Sequence, residues 1–204
     1  MLDRLGFADC ELILNEWHYL RSWDDCRGTP EARRKAEKSD WGIRNIDSAV
    51  FTVATLAALQ DSVFDQAYFY GGRPRGVFGY LDEYEALNKV GCALTMFGEV
   101  AGGAAERLRT TSAERAVIPF AARSADGRAA WLIVADYRSG AARPLSVALR
   151  GLGGLKPVAA LALDRERDNA ACAFNYEAGA AGGTLTLEKR GTASAAFLVR
   201  LVKE

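Results

Sequence analysis

The residue pattern changes near Ala101, Gly102 and Gly103, and this change restricts the fold more than any other feature. Before it, stretches with helical spacing alternate with short apolar runs, as is typical of α/β structure. After it, short segments separated by Gly and Asp-Gly turns are typical of antiparallel β structure. We therefore predict two units, α/β over residues 1–103 and all-β over residues 104–204.

The first unit contains two short apolar runs, residues 11–15 and 66–70, that predict strands buried on both faces. Three further stretches predict helices, with Asp47 and Asp82 as N-caps of the last two and Gly98 as the end of the third. These helices cover residues 30–38, 48–60 and 84–97. Because parallel strands need a crossover connection that is normally a helix, the order predicts a parallel βαβα segment.

The second unit has turn signals every dozen or so residues, and the segments between them predict strands. About eight strands in roughly 100 residues favour an antiparallel β-sandwich. Alanine-rich residues 170–173 weaken the prediction of a strand there. The clearest predicted strands are residues 117–120, 131–135, 145–149, 158–163, 184–187 and 196–202.

Composition excludes several classes of function. The chain has 26 Lys and Arg residues and 26 Asp and Glu residues, so no net charge favours a nucleic acid or an anionic membrane surface as partner. It has four cysteines without a C-x-x-C pair and a single histidine, His18, which argues against a zinc or iron site. We expect neither a metal nor an organic cofactor.

The chain shows no targeting or membrane signal. Residues 1–4 are too charged for a secretory signal, and the longest apolar stretch, residues 50–59, is shorter than the roughly 20 residues that a membrane helix needs. Scattered cysteines fit reduced thiols. These observations predict a soluble cytoplasmic protein without membrane contact.

Glu16 is the candidate catalytic residue, because it lies at the C-terminal tip of the first predicted strand. Enzymes with βα units place reactive groups at this end of their strands. Asn15, Trp17 and His18 surround Glu16 in sequence and are candidate substrate-binding residues through hydrogen bonds and stacking. The alternative is a strand-end carboxylate that is simply solvated or paired in a salt bridge.

Tyr70, next to the end of the second strand, is the remaining candidate for binding substrate through its ring. Trp23, Trp41 and Tyr68 are equally compatible with ordinary core packing. His18 has its own alternative, a packed or exposed side chain without a role in binding.

Residues 12–19, Leu-Ile-Leu-Asn-Glu-Trp-His-Tyr, resemble the segment around the nucleophile of clan A glycoside hydrolases, particularly the β-xylosidase and α-L-iduronidase-like group. In that group a glutamate in a T/N-E-W motif ends the seventh strand of a TIM barrel. The resemblance implies that Glu16 is the nucleophile, that residues 17–103 contain the last barrel elements, and that a β-sandwich follows. It covers nearly the whole chain, with Asn15-Glu16-Trp17 as its sharp motif.

The chain departs from this family in two ways. A complete barrel takes about 250 residues, whereas only about 100 precede the predicted sandwich. The family's general acid/base is a second glutamate in an Asn-Glu-Pro type motif, and the sequence contains no such motif. Asp24, Asp25 and Glu83 are the nearby acidic residues, but their spacing assigns none of them to this role. We expect the C-terminal part of a larger glycosidase, a split subunit or a degenerate remnant.

Two hypotheses of function follow. The first is retaining hydrolysis of O-glycosidic bonds, with Glu16 as nucleophile, once the missing barrel elements are supplied. The second is a noncatalytic carbohydrate-binding or interaction module. In both cases the ligand is a carbohydrate, and a second copy or a partner chain is expected to cover the open edge of the two-stranded sheet.

Overall fold

The computed structural model describes residues 4, 6, 9–71, 73, 76–180 and 182–203. Residues 1–3, whose charge entered the argument against a signal sequence, lie outside the described residues. The elements are β1 (Ile13–Trp17), α1 (Asp24–Arg27), α2 (Pro30–Glu37), α3 (Ile46–Leu59), β2 (Gln66–Phe69), α4 (Lys89–Gly103), β3 (Glu106–Leu108), β4 (Val117–Arg123), β5 (Ala129–Asp136), β6 (Leu145–Arg150), β7 (Leu155–Leu163), β8 (Ala170–Ala171), β9 (Phe174–Gly179), β10 (Gly182–Leu187) and β11 (Ala195–Lys203).

The strands after α4 form two antiparallel sheets. Six strands pair in the order β3-β4-β5-β11-β7-β8, and three pair in the order β6-β10-β9. Together with the parallel pair β1-β2, this confirms the predicted fold class, a βαβα segment followed by an antiparallel β-sandwich. The alanine-rich segment forms only the two-residue strand β8.

Side chains of β11 alternate between two cores. Phe197 and Val199 belong to the cluster between the two sheets, whereas Ala196 and Leu198 belong to the cluster against the helices. This alternation follows from the two-residue period of a strand. Because β11 is hydrogen-bonded on both sides, to β5 and β7, its backbone groups are satisfied within the sheet.

Helices α3 and α4 cover the outer face of the six-stranded sheet. Val50 and Val53 of α3 and Met96 of α4 are fully buried in one cluster with Ile133 and Leu198 of the sheet. The predicted division at residue 103 stays a prediction, although the chain does pass from α4 to β3 there. Of the described helices, none is long and apolar enough to cross a membrane.

The prediction that the first two strands are buried on both faces is wrong. Strands β1 and β2 pair in parallel as predicted, but Ile13 is 45% exposed and Tyr68 is 52% exposed. Apolar runs of five residues do not reveal which neighbours a strand has. Among the described residues, each of these strands pairs only with the other, and five of their nine residues are exposed.

The predicted helix ends need correction. Helix α3 begins after Asn45, and α4 begins after Asn88, whose side-chain oxygen accepts hydrogen bonds from the backbone N–H groups of Val90 and Gly91. Asp82 instead accepts hydrogen bonds from two N–H groups in a turn before the helix. Gly98 does not end α4, which continues to Gly103. A single glycine lowers helix stability by about 1 kcal/mol, and the packing of a buried helix can offset that loss.

Asp47 is not a cap but joins α3 to the sandwich. Its carboxylate accepts a 2.6 Å hydrogen bond from the Ser194 hydroxyl and lies 3.3 Å from the Arg138 guanidinium. Arg138 has a positive φ of 53°, and its backbone N–H donates to the same Ser194 hydroxyl oxygen. The buried carboxylate therefore holds two sandwich loops against the start of the helix.

Replacing Asp47 is expected to destabilise the protein far more than replacing Asp40. Asp47→Ala leaves the buried Ser194 hydroxyl without its acceptor and should lower the free energy of unfolding by about 2–4 kcal/mol. Asp40, which pairs with the exposed Arg165, is the matched control, and Asp40→Ala should cost under about 1 kcal/mol. Urea unfolding of both variants measures the difference, and equal losses would contradict it.

Candidate functional site

The candidate site begins with an irregularity in β1. The parallel register shifts by one residue between Leu14 and Trp17, so that Asn15 and Glu16 both stand opposite Tyr68. An extra residue of this kind bends a strand and redirects side chains, and such bulges often occur beside active sites. Asn15 and Glu16 are both exposed as a result.

Glu16 has no hydrogen bond or ion pair with any other residue that the structure describes. Its carboxylate is exposed at the penultimate position of β1. A carboxylate without internal partners keeps its lone pairs available to a ligand. The same geometry fits a solvated surface carboxylate, so the assignment of Glu16 as a nucleophile stays a prediction.

Trp17 points into the protein. Only 9% of its surface is exposed, and its ring packs edge-on against Phe69 at a centroid distance of 5.1 Å. Its indole Nε1 is buried without a partner among the described residues. Little of this ring is left to contact a ligand, and a role in substrate binding stays a prediction.

His18 lies between two aromatic rings, 4.7 Å from Phe69 and 5.1 Å from Phe78 in centroid distance. Its Nδ1 is 2.9 Å from the carbonyl oxygen of Tyr19, and its Nε2 has no partner in the described part of the chain. Burial lowers the pKa of the imidazole below its ordinary value, because a charged ring loses its hydration there. The ring is therefore neutral at pH 7.

Tyr19 belongs to the same buried group, although the sequence did not single it out. It is 6% exposed, and within the described chain its hydroxyl has no hydrogen-bond partner. Burial, followed by the nearby Tyr137 and Asp47, raises the pKa of Tyr19 to about 12. Its position directly after His18 was the available signal, but nothing in the sequence showed that its hydroxyl would be buried.

Tyr70 lies just after β2, and its backbone N–H donates a 2.9 Å hydrogen bond to the carbonyl of Trp17. Tyr70 is 45% exposed, and its ring contacts that of Phe78 at a centroid distance of 5.1 Å. Trp23, 53% exposed, contacts the same phenyl ring at 6.4 Å. Phe78 therefore joins Tyr70, Trp23 and His18 into one aromatic cluster at the ends of the two strands.

The loop carrying Phe78 is held by α4. The Asn88 side-chain amide donates a 2.8 Å hydrogen bond to the carbonyl of Gly79, and the Asn88 backbone N–H donates to the carbonyl of Tyr80. Asn88 also caps α4, so one residue positions both the helix and the loop. Sequence reasoning missed Phe78 because loop residues carry no periodicity that would place them.

A cleft of about 700 Å³ is lined by none of the predicted site residues and by none of the rings of this cluster. Within the described residues, no three His, Cys, Asp or Glu side chains group closely enough to bind a metal ion. The cleft is lined by Glu37, Lys38, Ser39, Asp40, Trp41, Asn45, Ile46, Lys89 and Arg165.

Neither a family model nor a curated protein matches this sequence. Solved structures do match. A glucosidase from Croceicoccus marinus superposes with a TM-score of 0.69 at 19% identity, over 100% of this chain and 48% of its own. A GH30 endoxylanase from Clostridium papyrosolvens C71 gives a TM-score of 0.60 at 14% identity, over 100% of this chain and 44% of its own.

An α-L-arabinofuranosidase from Thermotoga maritima has a TM-score of 0.55 at 14% identity, over 98% of this chain and 45% of its own. The resemblance to glycoside hydrolases is thus confirmed at the level of the fold. The chain spans less than half the length of these structures. At such identities the similarity establishes the fold and neither the activity nor the substrate of this chain.

The titration of His18 tests the aromatic cluster, because this is the single histidine of the chain and its NMR signal needs no assignment. We expect a midpoint below the usual value of about 6.5. Since the unfolded chain then binds the proton more readily, the free energy of unfolding should fall as the pH drops below about 6.5. Phe78→Ala should raise the midpoint, whereas a midpoint unchanged by this substitution would contradict the contact.

Proposed function

We propose that this chain supplies the nucleophile of a retaining glycoside hydrolase. The observation that carries the proposal is the position of Glu16, exposed on a bulge at the carboxyl end of β1 in a glycosidase-like fold. The neighbours superpose over nearly the whole chain, which supports the idea that β1, β2 and their helices correspond to the last part of a TIM barrel.

In this mechanism the Glu16 carboxylate attacks the anomeric carbon, and the bond from that carbon to the leaving oxygen breaks. The leaving oxygen takes a proton from a second carboxylic acid. Water, deprotonated by the same group, then attacks the glycosyl-enzyme, so that the sugar leaves with retained configuration and Glu16 is regenerated. In this proposal Asn15, which is exposed beside Glu16, hydrogen-bonds a sugar hydroxyl.

We propose that the second carboxylate comes from another chain. Retaining enzymes hold their two carboxyl groups about 5–5.5 Å apart. Asp25, on α1, is buried in an ion pair with Arg21, and Asp82 accepts hydrogen bonds from two backbone N–H groups of its turn. The sequence also lacks the Asn-Glu-Pro motif of the acid/base, which supports the alternative that the chain binds carbohydrate without hydrolysing it.

The free edges of β1 and β2 support a second chain as partner. Neither strand has a further neighbour among the described residues, and unpaired strand edges attract other strands. Exposed apolar side chains lie on and near this sheet, including Ile13 and Tyr68. We propose that a second copy, or a chain carrying the remaining parallel strands, covers this edge and supplies the acid/base.

The four cysteines support our placement of the protein in the cytoplasm. All four are free thiols in the structure, as expected in a reducing compartment. Burial raises the pKa of Cys92 and of Cys172, which keeps both thiols protonated and unreactive at pH 7.

Covalent labelling tests Glu16 directly. Incubation with a panel of dinitrophenyl 2-deoxy-2-fluoro glycosides should add one glycosyl mass to the protein, because this leaving group departs with little protonation and needs no acid/base. Glu16→Gln should abolish the mass increase. Glu11→Gln, an exposed glutamate two residues before β1, is the matched control and should label like the wild type.

Labelling that persists in Glu16→Gln would disprove the assignment. The absence of any adduct, in a protein shown by circular dichroism to be folded, would favour the noncatalytic carbohydrate-binding alternative.

The free sheet edge predicts association at micromolar concentrations. Sedimentation velocity of the wild type should show a concentration-dependent species larger than the 22.1 kDa monomer. Ile13→Lys places a charge on the exposed side of β1 and should shift the protein towards monomer. Val158→Lys, an equally exposed position in the sandwich, should leave the distribution unchanged. A monomer at every concentration would count against self-association.

A further inference from the structure

We propose that Trp23, Tyr70 and Phe78 form a subsite that binds the apolar face of a sugar ring. The inference rests on the proposed function for the class of ligand, and it adds Trp23 and Phe78 to Tyr70, which the sequence already predicted to bind substrate. From the sequence, Trp17 was the tryptophan expected to stack on substrate. Trp17 is buried and Trp23 is exposed, so Trp23 is the tryptophan that can contact a ligand.

The three rings form a continuous surface. Phe78 lies in the middle and contacts Trp23 and Tyr70 edge-on, at interplanar angles of 79° and 70°. Contacts of this kind orient rings without covering their outer faces. The two flanking residues remain about half exposed, Trp23 to 53% and Tyr70 to 45%.

The chemistry of the rim favours a carbohydrate over a purely apolar ligand. The guanidinium of Arg27 lies over one face of the Trp23 ring, 4.5 Å from its centroid, and carries several N–H donors. A sugar presents C–H groups on one face and hydroxyl groups around its edge. Such a ring can therefore lie on Tyr70 and the part of Trp23 that Arg27 leaves open, with its hydroxyls within the reach of a cationic donor.

Contacts with α4 and with the two strands fix the position of the subsite. The Phe78 loop is tied to α4 through Asn88, and the neutral ring of His18 supports Phe78 from the strand side. The Tyr70 backbone is hydrogen-bonded to Trp17, the residue after Glu16. Because the surface is ordered before binding, little conformational entropy is lost when a ligand binds.

Oligosaccharide titrations followed by NMR test this subsite. The probes are cellotetraose, xylotetraose and α-1,5-L-arabinotetraose, chosen because the structural neighbours are a glucosidase, an endoxylanase and an arabinofuranosidase. We expect at least one probe to bind the wild-type chain, and Trp23→Ala and Tyr70→Ala each to weaken binding about 10-fold. Tyr84→Ala, which removes an 83% exposed tyrosine outside the cluster, should leave the affinity unchanged.

The outcomes separate this subsite from the proposed nucleophile. Glu16→Gln should bind the same probe with wild-type affinity while losing the covalent adduct. If Trp23→Ala and Tyr70→Ala bind as well as the wild type, the subsite is wrong whether or not Glu16 is labelled. If no probe binds the wild type and Trp23→Ala instead abolishes self-association, the rings belong to an interface and the subsite is likewise overturned.

Discussion

The structure depends on the burial of the six-stranded sheet on both faces. Its central strand, β11, contributes Phe197 and Val199 to the core of the sandwich and Ala196 and Leu198 to the core beneath the helices. Removing either layer would expose a face of near-continuous apolar side chains. The helical segment and the sandwich therefore stabilise one another, and Asp47 adds a buried polar link between them through Ser194.

This dependence extends to the candidate site. The pair β1-β2 is too small to be stable alone, because two strands bury little apolar surface. It is supported by its own loops and helices: Tyr19 packs against Phe51 of α3, and the Phe78 loop is tied to Asn88 at the start of α4. The ends of the strands, with Glu16, His18 and Tyr70, are consequently presented by elements whose stability comes from the sandwich. The site is open on the side where β1 and β2 lack neighbours.

The elements themselves could be predicted from sequence to a large extent. Regularly spaced turn signals predicted the strands of the sandwich, and the order of apolar runs and helices predicted parallel pairing of β1 and β2. Prediction failed where one residue type has two uses. Asp47 and Asp82 both suit an N-cap, yet one bonds across the sandwich interface and the other closes a turn. Which partner an aspartate meets depends on residues distant in sequence.

The order of elements, the parallel and antiparallel regions and the resemblance around Asn15-Glu16-Trp17 could be read from the amino-acid sequence, since these depend on local periodicity and residue type. Which aromatic residues are exposed became visible only in the folded chain. Folding buried Trp17 against Phe69, left Trp23 open and brought Phe78 from a loop onto His18 and Tyr70. Exposure is a property of what packs on a side chain, and these contacts join residues up to about 60 positions apart, beyond the range of any local pattern.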